Sequence, residues 1–446
     1  MKRLRTGVFY ILVFLLVAII PLSIGFQPSK ANMDKLTKSV FIPLKLTNNE
    51  VDVPEMESID QAIIRLLRRN GIPGASVAVT KDDRLIYTKG FGYANVSKKE
   101  MVEPYHLFRI ASASKLVTAV AIMKLAEEKA INLDDPVFGK MGIMNDSIYQ
   151  HIPDKNYYKI TVRHLLSHTG GWSVRSYGDP MFRSVEIAKS MGVPAPADQE
   201  SIIQYVLKRR LAYKPGSYYN YSNFGYMVLG KVIEKVTGEN YEDYVRRAIL
   251  NPIGIYDMKL AKNRLEERAK DEVVYYDYNG ASLRTSIYGT GEMEPKTYGG
   301  TDVSALEGAG GWIASPIDFM RLVSAIDGLN ENDILSAESI KEMIEVPGPG
   351  FHPIGWRSVY SKGLVRTGTL AGSTALIVRR NDGVSYMVVM NSGTWRGTAF
   401  NGQIRFAMES ALKKVEDWPE IDLFPKTQIT LVQPLKPVYL DDSKSI

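Results

Sequence analysis

Residues 108–115 read Phe108-Arg109-Ile110-Ala111-Ser112-Ala113-Ser114-Lys115 and run directly into the apolar segment Leu116 to Leu125. A serine thus stands one helical turn before a lysine, at the start of what the pattern predicts to be a buried helix. Residues at i and i+3 share a helix face, so Lys115 can reach the Ser112 hydroxyl. A serine hydroxyl is a poor nucleophile until a neighbouring base takes its proton. Lysine can be that base where burial and a helix N-terminus lower its pKa. The same S-x-x-K pattern recurs at Ser410-Ala411-Leu412-Lys413, so the four letters alone do not select a site.

Two further segments supply context. Tyr221-Ser222-Asn223 stands at the entry to a helical pattern beginning at Phe224, where a tyrosine and an asparagine two apart can point into one cleft. Tyr93-Ala94-Asn95 and Tyr218-Tyr219-Asn220 share that spacing, so position along the chain must decide between them. Arg366-Thr367-Gly368-Thr369 lies late in a run of strands, where Gly368 would let a substrate approach the backbone.

Taken in order, these segments resemble the serine β-lactamase and penicillin-binding-protein family. The branch is the class C-like one, which also holds D-alanyl-D-alanine carboxypeptidases, D-amino-acid peptidases and esterases. The resemblance runs from about Asp60 to Ala411. It is carried by Phe108 to Lys115, by Ile160-Thr161-Val162-Arg163-His164-Leu165-Leu166-Ser167-His168-Thr169-Gly170-Gly171, and by Pro215-Gly216 ahead of Tyr221-Ser222-Asn223. Gly310-Gly311-Trp312 completes it. The resemblance implies an α+β (mixed α/β) fold of the β-lactamase/transpeptidase type, an antiparallel sheet built from both chain ends with a helical region inserted. It implies that Ser112 is acylated, that Lys115 and Tyr221 manage its proton, and that Asn223 binds the substrate's acyl side. Thr367, Gly368 and Thr369 would contact substrate, with the N–H groups of Ser112 and Thr369 forming an oxyanion hole. Chemically this is covalent catalysis with donors aimed where charge develops.

One position departs from the family. Its third motif usually begins with Lys or His, where this chain has Arg366. Arginine stays protonated and cannot act as an acid or base, but its fork can grip a carboxylate. The function expected from the resemblance is therefore an exported serine hydrolase that cleaves amide or ester bonds. D-alanyl or cell-wall-type peptides and β-lactams are the expected substrates. An esterase on the same machinery, and a feebly catalytic penicillin-binding or sensing protein, are the alternatives.

Composition narrows the chemistry. The chain has 446 residues, 45% hydrophobic and 23% charged, which is a globular composition. Its net charge of +6 is dispersed, with no basic run interleaved with aromatics, so no nucleic-acid partner is expected. There are no cysteines, which excludes disulfides, thiolate metal sites and a lipoprotein anchor. The five histidines include no His-Glu-x-x-His pair, so neither a metal nor a cofactor is expected. His168-Thr169-Gly170 imitates a catalytic triplet but follows a helical pattern, and His168 is expected to be a buried, hydrogen-bonded side chain.

Lys2, Arg3 and Arg5 precede an apolar run from Gly7 to Phe26, and Ser29-Lys30-Ala31 fits a small-x-small cleavage site. Residues 1–31 are expected to be a signal peptide or, uncleaved, a membrane anchor, placing the rest outside the cytoplasm as a secreted or membrane-attached domain. Residues 32–54 read as a linker, 55–415 as the hydrolase domain, and 416–446 as a proline-containing C-terminal extension. Within the domain, periodicity predicts a helix over Met56 to Asn70, a hairpin of Ala75–Thr80 with Leu85–Tyr93, and the helix carrying Ser112 and Lys115. Helices follow at Ser201–Leu211, Phe224–Val236, Tyr241–Leu250 and Ile317–Ile326. Four strands are expected between Trp356 and Asn391, then a helix over Gly397–Lys414. The tyrosine-rich stretches near Tyr275 and Tyr298 read as rim of the site. The partner expected is a small-molecule or peptide substrate, with membrane contact through the N-terminal segment.

Overall fold

Lys81-Asp82-Asp83-Arg84 turns the chain between two β-rich runs, with Asp82 and Asp83 both at positive φ (48° and 61°), as a tight hairpin requires. The runs become strands β1 (Gly74–Lys81) and β2 (Arg84–Asn95), followed by the short β3 (Glu100–Met101). From the far end of the sequence come β4 (Ser358–Tyr360), β5 (Gly363–Leu370), β6 (Ser373–Arg380) and β7 (Val384–Met390). All seven form one sheet in the order β4-β5-β6-β7-β1-β2-β3, every neighbour antiparallel. The join between chain ends is the β7–β1 ladder, in which Val388 pairs Val77. The expected architecture, a sheet assembled from both ends around an inserted helical region, is the one observed.

The computed structural model describes residues 45–329, 333–346, 348 and 350–425, and the backbone of 39–42 and 428–431. The last two segments pair as an antiparallel ladder, Ser39 opposite Leu431. The expected targeting segment, 1–31, lies outside the described residues, as does most of the expected extension. No described helix is long and apolar enough to cross a membrane.

Helices cover both faces of the sheet. Helix α1 (Glu57–Asn70) puts Ile59, Ile63, Leu66 and Leu67 on one stripe and ends at Gly71 in the left-handed conformation, whose N–H closes on Leu67 O. It shares one apolar layer with β1 residues Val77 and Val79 and with Phe400, Ile404 and Met408 of the final helix. Helix α2 (Ser114–Glu127) is different in kind. It is apolar on all sides and buried through most of its length, the behaviour of a helix at the centre of a domain. It packs in the larger core on the opposite face with α3 (Asn223–Thr237) and α4 (Pro316–Ser324). Helix α5 (Phe400–Leu412) closes the fold beside α1.

Several boundaries differ from expectation. The helix expected over Tyr241–Leu250 is regular only through Val245, then widens through Leu250 ahead of Pro252. A three-stranded sheet of Phe108–Arg109, Trp312–Ala314 and Lys259–Leu260 has no period long enough to be read from sequence. Tyr275, expected at a rim, is core: it is buried, accepts from the Arg109 N–H at 2.7 Å and donates to Glu272 at 2.8 Å. Within the stretch read as a linker, Val51 and Val53 are buried and Asn48 bonds Val102 O and the Gly90 N–H.

Candidate active site

Ser112 sits where Phe108–Arg109 turns into helix α2. Ala111, just before it, has φ +49°, unfavourable for a residue with a Cβ and typical of strained functional corners. Arg109 pins the approach to this corner. It is buried, donates to Thr297 O and Lys262 O at 2.8 Å each, and lies 4.3 Å from the Tyr275 ring centroid. On the far side, Ser114 Oγ accepts from the Trp312 N–H at 3.1 Å.

Four side chains converge behind Ser112. The Tyr221 hydroxyl donates to Ser112 Oγ at 2.7 Å. Lys115 Nζ lies 3.5 Å from the same oxygen, donates to Asn223 Oδ1 at 2.6 Å, and bonds the Ala309 carbonyl. Asn223 Nδ2 in turn donates to Asp179 at 2.6 Å. Lys115 is fully buried, and that desolvation, reinforced by Arg366, outweighs the nearby phenol and Asp179 to push its pKa down to about 8. Burial would raise the Tyr221 phenol, but the Lys115 and Arg366 cations, with bonds from Lys115 and Ser112, pull it down to about 8. The pair thus titrates together near pH 8.

The sequence places these groups by simple means. Ser222 caps α3 through its hydroxyl, which accepts from the Gly225 N–H, so Tyr221 and Asn223 flank the cap at the cleft. His168 is buried and neutral: burial first, then Lys115 and Arg366, drive its pKa well below the usual value. Its Nδ1 accepts from the Ser222 N–H at 3.1 Å, and its ring packs 4.5 Å from that of Tyr221.

The β5 segment behaves differently from its sequence reading. Val365 O accepts from the Arg357 N–H on the β4 side, and β4 pairs no residue beyond Val365. By the period of two, the backbone groups of Thr367 and Thr369 face that same open edge, while Arg366 and Gly368 share a face with Leu364. That face is toward Ser112. The Arg366 guanidinium is buried and donates from Nε to Ser112 O at 2.8 Å, with Nη2 on the same oxygen. It differs from the expected carboxylate grip because its fork is already held by the backbone. Gly368 differs too: what approaches it is Ile110 O, which a Cβ would meet at 2.1 Å, rather than a ligand.

The resulting cleft has an empty volume of about 810 Å³ and is lined by Ser112, Tyr221, Asn223, Thr367 and Thr369. Arg357 lines it as well and was not singled out in the sequence. It is exposed, its Nη1 donates to the Tyr219 hydroxyl at 2.7 Å, and its guanidinium lies 5.2 Å from the Tyr221 ring centroid. No carboxylate pairs with it among the described residues. Asp179 and Ala309 were also missed. Asp179 had one local signal, an Asp-Pro step that caps a short turn, and Ala309 contributes only a carbonyl.

A seven-stranded antiparallel sheet with a helical insertion and a serine–lysine–tyrosine cluster at their junction defines a β-lactamase/transpeptidase-like fold. The chain belongs to the Beta-lactamase family, whose model matches residues 59–406. It is 26% identical over 367 residues to Protein flp of Staphylococcus aureus strain MRSA252, an alignment covering 78% of this chain and 64% of that protein. A Putative D-alanyl-D-alanine carboxypeptidase of Escherichia coli O157:H7 is 26% identical over 294 residues, 61% of this chain and 64% of that one. The chain therefore spans just under two thirds of the length of these relatives. Among solved structures, the octameric penicillin-binding protein homologue from Pyrococcus abyssi superposes with TM-score 0.59 at 26% identity, over 82% of this chain and 79% of that one. The D-amino acid amidase from Ochrobactrum anthropi SV3 shares the fold at TM-score 0.62 and 21% identity, over 82% of this chain and 99% of that one.

Proposed function

We propose that this chain is an exported serine hydrolase that forms an acyl-enzyme on Ser112 and cleaves amide or ester bonds, with D-alanyl or cell-wall-type peptides and β-lactams as its substrate class. The observation that carries the reading is the 2.7 Å bond between the Tyr221 hydroxyl and Ser112 Oγ, beside the buried Lys115. Tyr221 as phenolate, held by the Lys115 cation, takes the Ser112 proton as Oγ attacks the scissile carbonyl. The charge on the carbonyl oxygen falls between the N–H groups of Ser112 and Thr369, the latter on the open edge of β5. Tyr221 then protonates the leaving amine or alcohol, and water attacks the ester by the reverse route.

Arg357 narrows the substrate. An exposed guanidinium at the cleft without a carboxylate partner suits an acidic terminus, as in a peptide ending in D-alanine or a β-lactam acid. A neutral ester gains nothing from it. Export is supported by the basic, apolar N-terminal segment.

Labelling the purified protein with fluorescent penicillin and with a serine-reactive phosphonate tests the reading. Wild type takes at least one probe, and Ser112→Ala takes neither. Labelling that survives Ser112→Ala refutes the nucleophile. Failure of both probes on wild type refutes the hydrolase.

A further inference from the structure

Helix α5 buries Phe400, Ile404, Met408 and Ala411 at helical spacing, which leaves Phe406 off the stripe and 77% exposed. Trp395, in the turn before it, is 73% exposed. The two aromatics rim an open groove between α5 and α1 whose cations are Arg65, Arg69, Arg396 and Lys414. No carboxylate lines this groove, and none of the four cations forms an ion pair among the described residues. Arg396 lies 4.6 Å from the Trp395 ring centroid, presenting charge and ring together.

We infer that this α1–α5 face docks on an anionic phospholipid bilayer, with Trp395 and Phe406 among the lipid chains and Arg65, Arg69, Arg396 and Lys414 on the headgroup phosphates. Cations ringing exposed aromatics, without acids, match a surface that is negative outside and apolar within. A soluble polyanion would satisfy the charges and leave both aromatics in water. The apolar run Gly7 to Phe26 behind Lys2, Arg3 and Arg5 also fits a chain delivered to a membrane. Docking has a consequence for the cleft. The turn that carries Trp395 also carries Thr398, which lines the cleft beside Ser112, so the bilayer surface would lie against the cleft's rim.

The full chain, reconstituted in vesicles containing brominated phosphatidylglycerol, tests this through tryptophan emission, with Trp395→Phe as the reference for the other four tryptophans. Any N-terminal anchoring is the same in both proteins. Wild type should lose emission at least about twofold more than Trp395→Phe, and the difference should vanish at about 0.5 M salt. Arg65→Glu with Arg69→Glu should abolish the difference while leaving the thermal midpoint unchanged. Equal quenching of wild type and Trp395→Phe overturns the inference. Equal quenching by brominated phosphatidylcholine overturns the requirement for anionic lipid. A Trp395 emission already blue-shifted and shielded without vesicles shows instead that the chain covers this face itself.

Discussion

The Arg366 guanidinium donates through Nε to the main-chain carbonyl of Ser112 at 2.8 Å, so the cation of β5 holds the backbone of the proposed nucleophile. A buried arginine bonded this way positions Ser112 and adds positive potential beneath Tyr221 and Lys115. Under the proposed function, carboxylate recognition then falls to Arg357, which lines the cleft.

The two arginines should therefore separate in kinetics. Arg366→Ala leaves the Ser112 carbonyl without its charged donor, which corresponds to about 1.5–3 kcal/mol, or roughly a 10- to 100-fold loss of kcat/KM. The loss should be equal for an acidic substrate and its neutral amide or ester. Arg357→Ala should raise KM for the acidic substrate alone. A selective loss in Arg366→Ala would return the carboxylate to that residue.

Tyr221 and Lys115, both lowered to about 8, set the pH profile. With the phenolate as base beside the Lys115 cation, kcat/KM should rise about tenfold per pH unit on the acid side, peak near pH 8 and fall above it as Lys115 loses its proton. Tyr221→Phe should lose about 10²- to 10⁴-fold and with it that acid limb. Stability follows the same pair. Between about pH 8 and the ordinary values of 10.0 and 10.5 this pair holds fewer protons folded than unfolded, so its own contribution to stability should rise with pH across that window, against the opposite contribution of buried tyrosines such as Tyr157 and Tyr241, whose pKa burial raises. The gap in thermal midpoint between wild type and Tyr221→Phe should therefore shift in favour of wild type from pH 8 to 10, and a shift the other way would contradict the assignment.

Asp179 acts through Asn223, whose amide it holds at 2.6 Å. Asp179→Asn removes a charge-assisted bond and should cost roughly 10-fold or more in kcat. Because Asp179 raises the Lys115 pKa, its removal should also move the alkaline limb, where Lys115 loses its proton, to lower pH. An unshifted profile would leave Asp179 a merely structural residue.

Gly368→Ala drives a Cβ to 2.1 Å from the main-chain Ile110 O, which has no flexible end to move aside. Overpacking of this kind costs about 1–3 kcal/mol or more and should push β5 away from the Ser112 corner. A lowered thermal midpoint with slowed acylation is expected. An unchanged acylation rate would show that the corner and strand move independently.

Much of this was legible in the sequence because it depends on neighbours along the chain. The two-residue period of β1, β2 and β5–β7, the apolar stripes of α1 and α5, and the turn at Asp82-Asp83 each follow from local sterics and burial. The grouping of Ser112 and Lys115 with Tyr221 and Asn223 came instead from the ordered resemblance of their motifs to a known family, because Tyr93-Ala94-Asn95 and Tyr218-Tyr219-Asn220 share the Tyr-x-Asn spacing. Residues whose importance is a matter of partners were not legible. Asp179, Arg357 and the Ala309 carbonyl lie in loops without periodicity, and nothing local says which side chain they will meet.

The segment from Phe108 to Lys115 determined by itself that Lys115, in the first turn of a buried helix, stands one turn beyond Ser112, because i and i+3 residues face the same way. Only the tertiary structure decided what surrounds that pair. The pleat of β5 alternates its side chains, so Arg366 faces the Ser112 backbone while Thr367 and Thr369 offer their N–H groups to the cleft. Which way an alternating strand points depends on the core it packs against, and that core is assembled from residues hundreds of positions apart.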